Sequence, residues 1–262
     1  MKTSKLLNDL FSGIGHWRIW LLLALFDIKT RYRRSRIGQF WITVSMGITI
    51  LSLSFVYSRI FNLRLSEYVP LMSISFIVWG LLASLVTEAS GVFIESEAYI
   101  RSSPLPRFLF IFRMLTRNVL VFAHNLILVP LVMIIFLIAP TWQVFWFVPA
   151  FLLTLLNGIW IAMLLGPLCA RFRDLPQIIA SIVQIAFFVS PVIWGKAQLG
   201  KEYPLILDLN PFAIFLDLLR EPLLGRAPAP SAWIAALTVT VIGYAIATPF
   251  FVRFRSRVAY YM

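Results

Sequence analysis

Long uncharged segments alternate with short charged ones along this chain. A transmembrane helix needs about 20 consecutive, mostly apolar residues. The windows without formal charge that meet or approach this length are Ile37–Ser58, Tyr68–Thr87, Asn118–Ala170, Leu175–Gly195 and Ser231–Val252. The third window is long enough for two helices, and Pro140-Thr-Trp-Gln is the predicted turn between them. The pattern therefore predicts six transmembrane helices.

The composition supports an integral membrane protein. Hydrophobic residues make up 60% of the 262 residues, charged residues only 13%, and the mean hydropathy is +0.88. A soluble domain carries about 25% charged residues. We expect one all-α transmembrane domain over residues 1–262 and no separate soluble catalytic domain. Its predicted spans are 37–58, 68–90, 108–139, 142–170, 175–195 and 231–252.

The charge distribution predicts the orientation. With six spans, 17 of the 23 lysines and arginines fall on the side of the two termini and 6 on the other side. An excess of Lys and Arg marks cytoplasmic loops. Both termini are therefore expected in the cytoplasm. The net charge of +12 indicates contact with anionic lipid rather than with nucleic acid.

Two connections between the predicted spans are long enough to have roles of their own. The inner connection, residues 91–107, is here called the coupling segment, and the outer connection, residues 196–230, is called the outer segment. The outer segment is too apolar for a solvated loop. We predict that two short helices, Leu205–Asn210 and Phe212–Leu224, dip back into the outer leaflet. Irregular backbone at that depth is tolerated when it is buried in protein or lines a cavity.

A shorter apolar stretch precedes the first predicted span. Residues 17–30, WRIWLLLALFDIKT, are too short and too interrupted to cross the bilayer. Tryptophan suits the headgroup region, and the charged residues can face water. This composition predicts an amphipathic helix lying in the inner interface.

Four arginines follow this helix directly: Arg31, Arg33, Arg34 and Arg36. One interpretation is an anchor that fixes the topology. The other is a binding site for an anionic, lipid-linked substrate, because guanidinium groups bind phosphate bidentately and keep their charge. The sequence leaves both open.

The order of short motifs resembles a known family. RYRRSRIGQFWITVS follows the interface helix, ESEAYIRSSPLPR follows the second span, ARFRDLPQI precedes FFVSPVIW, and LNPF and LLREPLLG come before the last span. This set resembles the permease subunits of ABC exporters of lipid-linked polysaccharides, which serve O-antigen, capsule and teichoic acid. The segments RYRRSRIG, RFRDL and SPVIW look nearest to the O-antigen (Wzm-type) branch. The resemblance covers almost the whole chain, from about Trp17 to Arg257.

The resemblance implies a homodimer of six-span subunits in the bacterial inner membrane, above two copies of a separate ATPase. It implies ATP-driven export of a lipid-linked glycan. The chain contains no G-x-x-x-x-G-K-[ST] motif. We therefore expect no enzyme activity and no cofactor in this chain, with ATP and magnesium bound by the partner ATPase.

The resemblance also implies roles for the two long connections. A helix in the coupling segment would contact the ATPase, with Glu95 and Glu97 near its start and Arg101 near its end, as suits the helix dipole. The expected contact residues also include Ala98, Tyr99 and Ile100. The outer segment resembles the family's periplasmic gate, whose expected residues are Asn210, Pro211, Asp217, Arg220 and Glu221. The coupling segment could instead be an ordinary solvated loop, and the outer segment could instead be a surface cap without a gating role.

A glycan channel favours aromatic rings, because sugar C–H faces pack on them. The candidate rings are Trp41, Phe55, Tyr57, Phe187, Phe188 and Trp194. Each could instead be a belt or packing residue. Glu88 is the one carboxylate within a predicted span; it either faces the translocation path or lies near Arg113 or Arg117. His16, His124 and Cys169 lack partners at ligand spacing, so we expect no metal site.

Three other functions were weighed. A capsule or teichoic-acid exporter permease would belong to the same family. A secondary transporter usually carries inverted repeats and buried ion-coordinating residues, and no repeat is visible here. A membrane glycosyl- or acyltransferase needs clustered carboxylates or a histidine–carboxylate pair. The acidic residues of this chain are scattered.

Overall fold

The computed structural model describes residues 2–31, 33, 36–194 and 207–261, with side chains from residue 6 onward in those ranges. All regular secondary structure in these ranges is helical. The α-helices are α1 (Lys2–Gly15), α2 (Trp17–Arg31), α3 (Trp41–Ile60), α4 (Leu65–Gly91), α5 (Glu97–Ser102), α6 (Arg107–Leu126), α7 (Leu128–Ile135), α8 (Phe147–Arg171), α9 (Leu175–Val189), α10 (Pro211–Leu223), α11 (Pro230–Phe254) and α12 (Val258–Tyr261). Short 3₁₀ turns lie at Gly38–Phe40, Trp142–Trp146 and Arg255–Arg257. The all-α prediction is confirmed.

Helix α4 forms the centre of the bundle. It packs against α3, α6, α8, α9 and α10. In its most apolar stretch 67% of the residues are buried, against 17–33% in the other long apolar helices. Its polar side chains do not break this packing, because Ser73 and Thr87 donate to the backbone carbonyls of Val69 and Ala83, four residues earlier.

Within the described ranges, five helical stretches are long and apolar enough to cross a membrane. They are Gly38–Ile60, Leu65–Gly91, Arg107–Ile135, Trp142–Arg171 and Pro230–Tyr261. The chain is therefore a multi-pass membrane protein, and five of the six predicted spans correspond to these stretches.

The predicted span 175–195 is not confirmed as a full crossing. Helix α9 has 15 residues and ends at Val189. Such a helix rises roughly 22 Å, whereas the hydrocarbon core is about 30 Å thick. Ser190 has an extended backbone because Pro191 follows it, and proline disfavours helical geometry in the preceding residue.

The third predicted span, 108–139, is interrupted. Helix α6 ends at Leu126 and α7 begins at Leu128. The break, at Ile127, lies three residues before Pro130, whose ring would clash with the carbonyl of Leu126 in a regular helix. The turn predicted around Pro140 lies between α7 and the 3₁₀ turn that opens the next span.

A hydrogen-bonded contact joins α8 to α11 inside the bundle. Asn157 donates to the hydroxyl of Thr240 at 2.8 Å, and its carbonyl oxygen accepts from Trp160 Nε1 at 2.7 Å. Gly243 lets the two helices approach, since a Cβ at this position would lie 2.3 Å from the Trp160 ring. The polar groups at this depth are therefore paired within the protein, as an apolar solvent requires.

The chain before the first span forms two helices. Helix α2 covers the predicted helix 17–30, but its apolar side chains are not gathered on one face, so the prediction that it is amphipathic is wrong. Its charged residues lie near its two ends, and apolar side chains fill the middle. Helix α1 was not predicted, and it has a clearer separation of apolar and polar faces than α2.

Candidate functional site

The coupling segment folds as the sequence predicts, with one short helix between two irregular stretches. Helix α5 covers Glu97–Ser102, and the glutamate at its start pairs with Arg101 at 2.9 Å. The Ser-Pro-Leu-Pro stretch ends α5, and α6 starts at Arg107. Helix α5 therefore lies at the same end of the bundle as the arginines between α2 and α3. We call this end the inner end.

The side chains of α5 divide between surface and core. Glu95, Ala98, Tyr99 and Arg101 are exposed, while Glu97 is half-buried. Ile100 is 5% exposed and belongs to the core. Its side chain therefore anchors α5 to the bundle and is not available for contact with a partner.

An ionic cluster lies directly beneath α5. The guanidinium of Arg117 contacts Glu88 Oε2 at 2.9 Å and Glu95 Oε2 at 3.0 Å. Asn118 donates to the same Glu88 oxygen at 2.8 Å. Of the two positions that the sequence left open for Glu88, the structure places it beside Arg117. Glu95, the first carboxylate of the coupling segment, is thus bound to Arg117 on α6 and, through Arg117, linked to Glu88 on α4.

The same cluster reaches the N-terminal helix α2. Arg113 forms two hydrogen bonds with Asp27, at 2.8 Å from Nε and 2.6 Å from Nη2. The Arg113 guanidinium also lies 5.3 Å from the ring centre of Tyr99 on α5. Helices α2, α5 and α6 therefore meet at one arginine.

The sequence pattern did not point to Asp27 or Asn118 as site residues, and it indicated the two arginines of the cluster only as possible neighbours of Glu88. A signal was present. Arg113 and Arg117 are four residues apart on one helix, where like charges repel unless acidic groups face them. Asp27 is the only acidic residue of the predicted interface helix. Which acids face which arginines depends on tertiary packing and cannot be read from spacing.

A polar cleft of about 590 Å³ opens beside α5. Its lining includes Asp9 from α1, Arg101, Arg107 and Arg255. Asp9 accepts a hydrogen bond from the backbone N–H of Arg107 at 3.2 Å and pairs with Arg255 at 3.6 Å. Burial raises the pKa of the Asp9 carboxyl above its usual value, and the Arg107 hydrogen bond and the Arg255 charge oppose that rise. Three distant parts of the chain, around residues 9, 100–107 and 255, meet in this cleft.

The predicted phosphate-binding arginines lie between α2 and α3. Arg31 ends α2, and the described side chains of Arg31, Arg33 and Arg36 are exposed. Arg34 lies outside the described residues. The role of this basic segment stays a prediction.

The candidate channel aromatics lie on α3, on α9 and just after α9. Trp41, Phe55 and Phe188 are 45%, 59% and 63% exposed, so they are available to lipid or to a ligand. Phe187 instead packs against Phe76 and Trp79.

The two remaining candidate rings have contacts within the protein. Tyr57 stacks on Phe61, with ring centres 5.9 Å apart. Trp194 donates to the carbonyl of Phe188 at 3.2 Å. The six rings thus differ in how far they are free to meet a ligand.

In the outer segment, the second of the two predicted short helices is α10. Asn210 caps it: its side-chain oxygen accepts from the backbone N–H groups of Phe212 and Ala213, and Pro211 occupies the first helical position. The amide of Asn210 also donates to Ser190 Oγ at 2.9 Å. The first predicted helix, 205–210, lies partly outside the described residues.

A buried arginine joins α10 to the centre of the bundle. Arg220 is 2% exposed and donates to the carbonyl of Pro191 at 2.7 Å and to Ser75 Oγ at 3.2 Å. It also pairs with Asp217 at 2.7 Å. Glu221 lies 3.7 Å from both Arg220 and Arg226. The residues predicted for the gate are thus brought together.

Taken together, these features define a polytopic membrane protein that is helical throughout its described regular structure, with a short helix exposed at its inner end and a buried helix that carries an arginine–aspartate pair near its outer end. The family model of the ABC-2 type transporters matches residues 19–224, well over half of the chain. This chain belongs to that family. The resemblance found in the sequence is confirmed, and the chain is a transporter permease.

The curated relatives agree. Two proteins named O-antigen export system permease protein RfbA from Klebsiella pneumoniae are each 19% identical over 228 residues, covering 84% of this chain and 87% of the relative. A protein of the same name from Myxococcus xanthus is 23% identical over 215 residues, covering 79% of each chain. The permease is therefore homologous to O-antigen export permeases over most of its length.

Proposed function

We propose that this chain is the channel subunit of an ATP-driven exporter in the bacterial inner membrane. It moves a lipid-linked polysaccharide, O-antigen on undecaprenyl-pyrophosphate, from the cytoplasmic to the outer side. Two copies form the channel, and two copies of a separate ATPase bind beneath them. Both termini lie in the cytoplasm. The family match and the names of the relatives support this proposal.

The observation that carries the proposal is the position of α5. Ala98, Tyr99 and Arg101 are exposed at the surface, while Ile100 and the ionic cluster hold the helix firmly on the bundle. A helix that is exposed on one side and packed against the bundle on the other can transmit the movement of a bound partner to the membrane domain. We infer that the ATPase contacts this face.

The substrate enters at the basic segment. Its lipid phosphate binds Arg31, Arg33, Arg34 and Arg36, because one pyrophosphate needs more than one guanidinium. The glycan then follows the channel between the two subunits, past the exposed rings of α3 and α9. ATP binding closes the ATPases, displaces α5 and opens the channel, and α10 with Arg220 forms the outer gate.

Purification of the tagged chain from native membranes in mild detergent tests the assembly. We expect a separately encoded ATPase in stoichiometric amount, identified by mass spectrometry. Folded chain without any ATPase, in several detergents, would overturn the proposal.

A matched pair of substitutions tests the contact face. Ala98→Glu places a charge on the exposed face of α5, and Ala227→Glu places the same charge on an exposed residue of the outer segment. We expect only Ala98→Glu to reduce the amount of ATPase recovered. Equal recovery with both variants would exclude this face as the docking site.

Charge reversal tests the phosphate site. We expect Arg33→Glu with Arg34→Glu to abolish export while the protein still inserts in the membrane. The control is Arg59→Glu with Arg64→Glu, at exposed arginines of the opposite side, which should leave export intact. Normal export by the first double variant would reduce the basic segment to a topology anchor.

A further inference from the structure

Helix α1 lies outside the part of the chain that the family model matches, which starts at residue 19. One face of α1 is packed on the bundle. Leu6 and Leu10 contact the hydrophobic core, and Gly13 is buried. A Cβ at Gly13 would lie 2.8 Å from the Cβ of Phe108, so the helix rests directly on the start of α6. Helix α1 is therefore a fixed part of the fold.

The two free flanks of α1 differ in chemistry. On one flank Leu7, Phe11 and Ile14 are 50%, 65% and 50% exposed. Their spacing of four and three residues puts them in one row along the helix. On the other flank the exposed residues are Asn8, Ser12 and Gly15. Three large apolar side chains in one row, beside a second row of polar or small residues, indicate a helix between an apolar and an aqueous phase.

The contacts of α1 fix its level relative to the membrane. Asp9 accepts from the backbone N–H of Arg107, the first residue of a membrane-spanning stretch. Asp9 also pairs with Arg255, which follows the end of α11. Helix α1 thus crosses the inner ends of two spanning helices, where hydrocarbon gives way to water. Helix α2, which follows α1 after His16, also exposes large apolar side chains, among them Trp17, Leu22 and Phe26.

We propose that α1 lies on the inner surface of the bilayer, with Leu7, Phe11 and Ile14 inserted among the lipid chains and Asn8, Ser12 and Gly15 facing water. The occupant of the apolar row is lipid, because the row sits at the level of the span ends and the next helix, α2, also exposes large apolar side chains. Through Asp9, the membrane-bound helix then holds the start of α6, directly after the coupling segment.

Site-specific labelling of the full-length protein tests this placement. Cys169 is buried and is the only cysteine, so Cys169→Ala gives a background for single cysteines. Phe11→Cys and Ser12→Cys are the matched pair, one on each flank. Each is labelled with a small fluorophore and reconstituted in vesicles of phosphatidylcholine and phosphatidylglycerol. Quenching is measured with brominated acyl chains and with iodide in water.

We expect the label at position 11 to be quenched several times more strongly by brominated lipid than the label at position 12, with the reverse order for iodide. Equal quenching at the two positions would overturn the proposal. The proposal would also be overturned if iodide quenched the label at position 11 and added ATPase prevented that quenching. The apolar row would then be a protein-docking surface. Cross-linking between two cysteines at position 11 would assign the row to a second copy of the chain.

The unmodified protein provides an independent measurement in case Phe11→Cys does not fold. Photoreactive phospholipid in the same vesicles should modify Leu7, Phe11 or Ile14 and leave Asn8 and Ser12 unmodified, as read by mass spectrometry of peptides. Absence of modification in the apolar row, with modification of α3 in the same sample, would contradict the proposal. The photolabelling is done without ATPase or glycan, so its result is separate from the test of export.

Discussion

Arg113 and Asp27 form a two-pronged ion pair across 86 residues of sequence, with distances of 2.8 Å and 2.6 Å. The pair joins the N-terminal helix α2 to α6, and its side chains are 12% and 16% exposed. Arg117 lies 3.4 Å from the same carboxylate and continues the cluster to Glu88. Two arginines one helical turn apart are thus balanced by acids from two other helices.

Replacing Asp27 with asparagine is expected to destabilise the protein by about 3 kcal/mol, because it leaves two largely buried guanidinium groups with less opposing charge. The measurement is thermal unfolding in detergent. Glu97→Gln is the control, since its partners Arg101 and Arg173 are 58% and 47% exposed and a surface pair contributes about 1 kcal/mol or less. If both variants unfold at the same temperature, the pair of Asp27 and Arg113 stabilises the protein no more than an exposed pair does.

Arg220→Lys is expected to destabilise the protein almost as much as Arg220→Gln. Lysine keeps the charge but cannot reproduce the forked contacts with Pro191, Ser75 and Asp217. Loss of a buried, paired charge costs about 3–5 kcal/mol. The exposed Arg226 is the control, and Arg226→Gln should have little effect. Full stability of Arg220→Lys would mean that charge alone holds α10 in place.

Asn210→Ala should cost about 1–2 kcal/mol, since it removes the cap of α10. Asn210→Asp should recover most of this loss, because aspartate also accepts from the two backbone N–H groups. Ser190→Ala keeps the cap and removes only the bond from Asn210 to Ser190 Oγ, so it should cost less. A larger loss in Ser190→Ala than in Asn210→Ala would show that the link to α9 outweighs the cap.

Gly243→Ala is expected to separate α8 from α11, because the new methyl group would lie 2.3 Å from the rigid ring of Trp160. Overpacking of this kind costs about 1–3 kcal/mol. Gly15→Ala is the matched control, since a Cβ there meets nothing within 4 Å. It should leave the thermal midpoint unchanged or raise it slightly. Equal midpoints for the two variants would show that the ring can move aside.

Much of the fold could be predicted from local pattern. Uncharged windows located most of the spans, since a crossing helix needs about 20 apolar residues whether they face lipid or the protein interior. The short helix of the coupling segment was implied by the family resemblance, and the second short helix of the outer segment was expected from its apolar sequence. The span 175–195 was the weakest of these predictions, because hydropathy alone did not register that Pro191 ends the helix at Val189.

The candidate site depended on contacts that sequence spacing does not contain. The sequence showed that a charged Glu88 within an apolar span costs free energy, so that it needs a partner or a polar cavity. Only the packing of the helices decided that this partner is Arg117. In the same way, the sequence offered Ile100 as a contact residue and the packing of α5 buried it.

The sequence by itself determined that the chain crosses a membrane, where five of its long apolar helices run and which family it resembles, because these properties follow from hydrophobicity along the chain and from local order. The tertiary structure alone decided that Asp27 faces Arg113, that Arg220 reaches Pro191, and that α1 rests on α6. Those contacts join residues far apart in the chain, so their free energy depends on how the helices pack and not on the sequence around each residue.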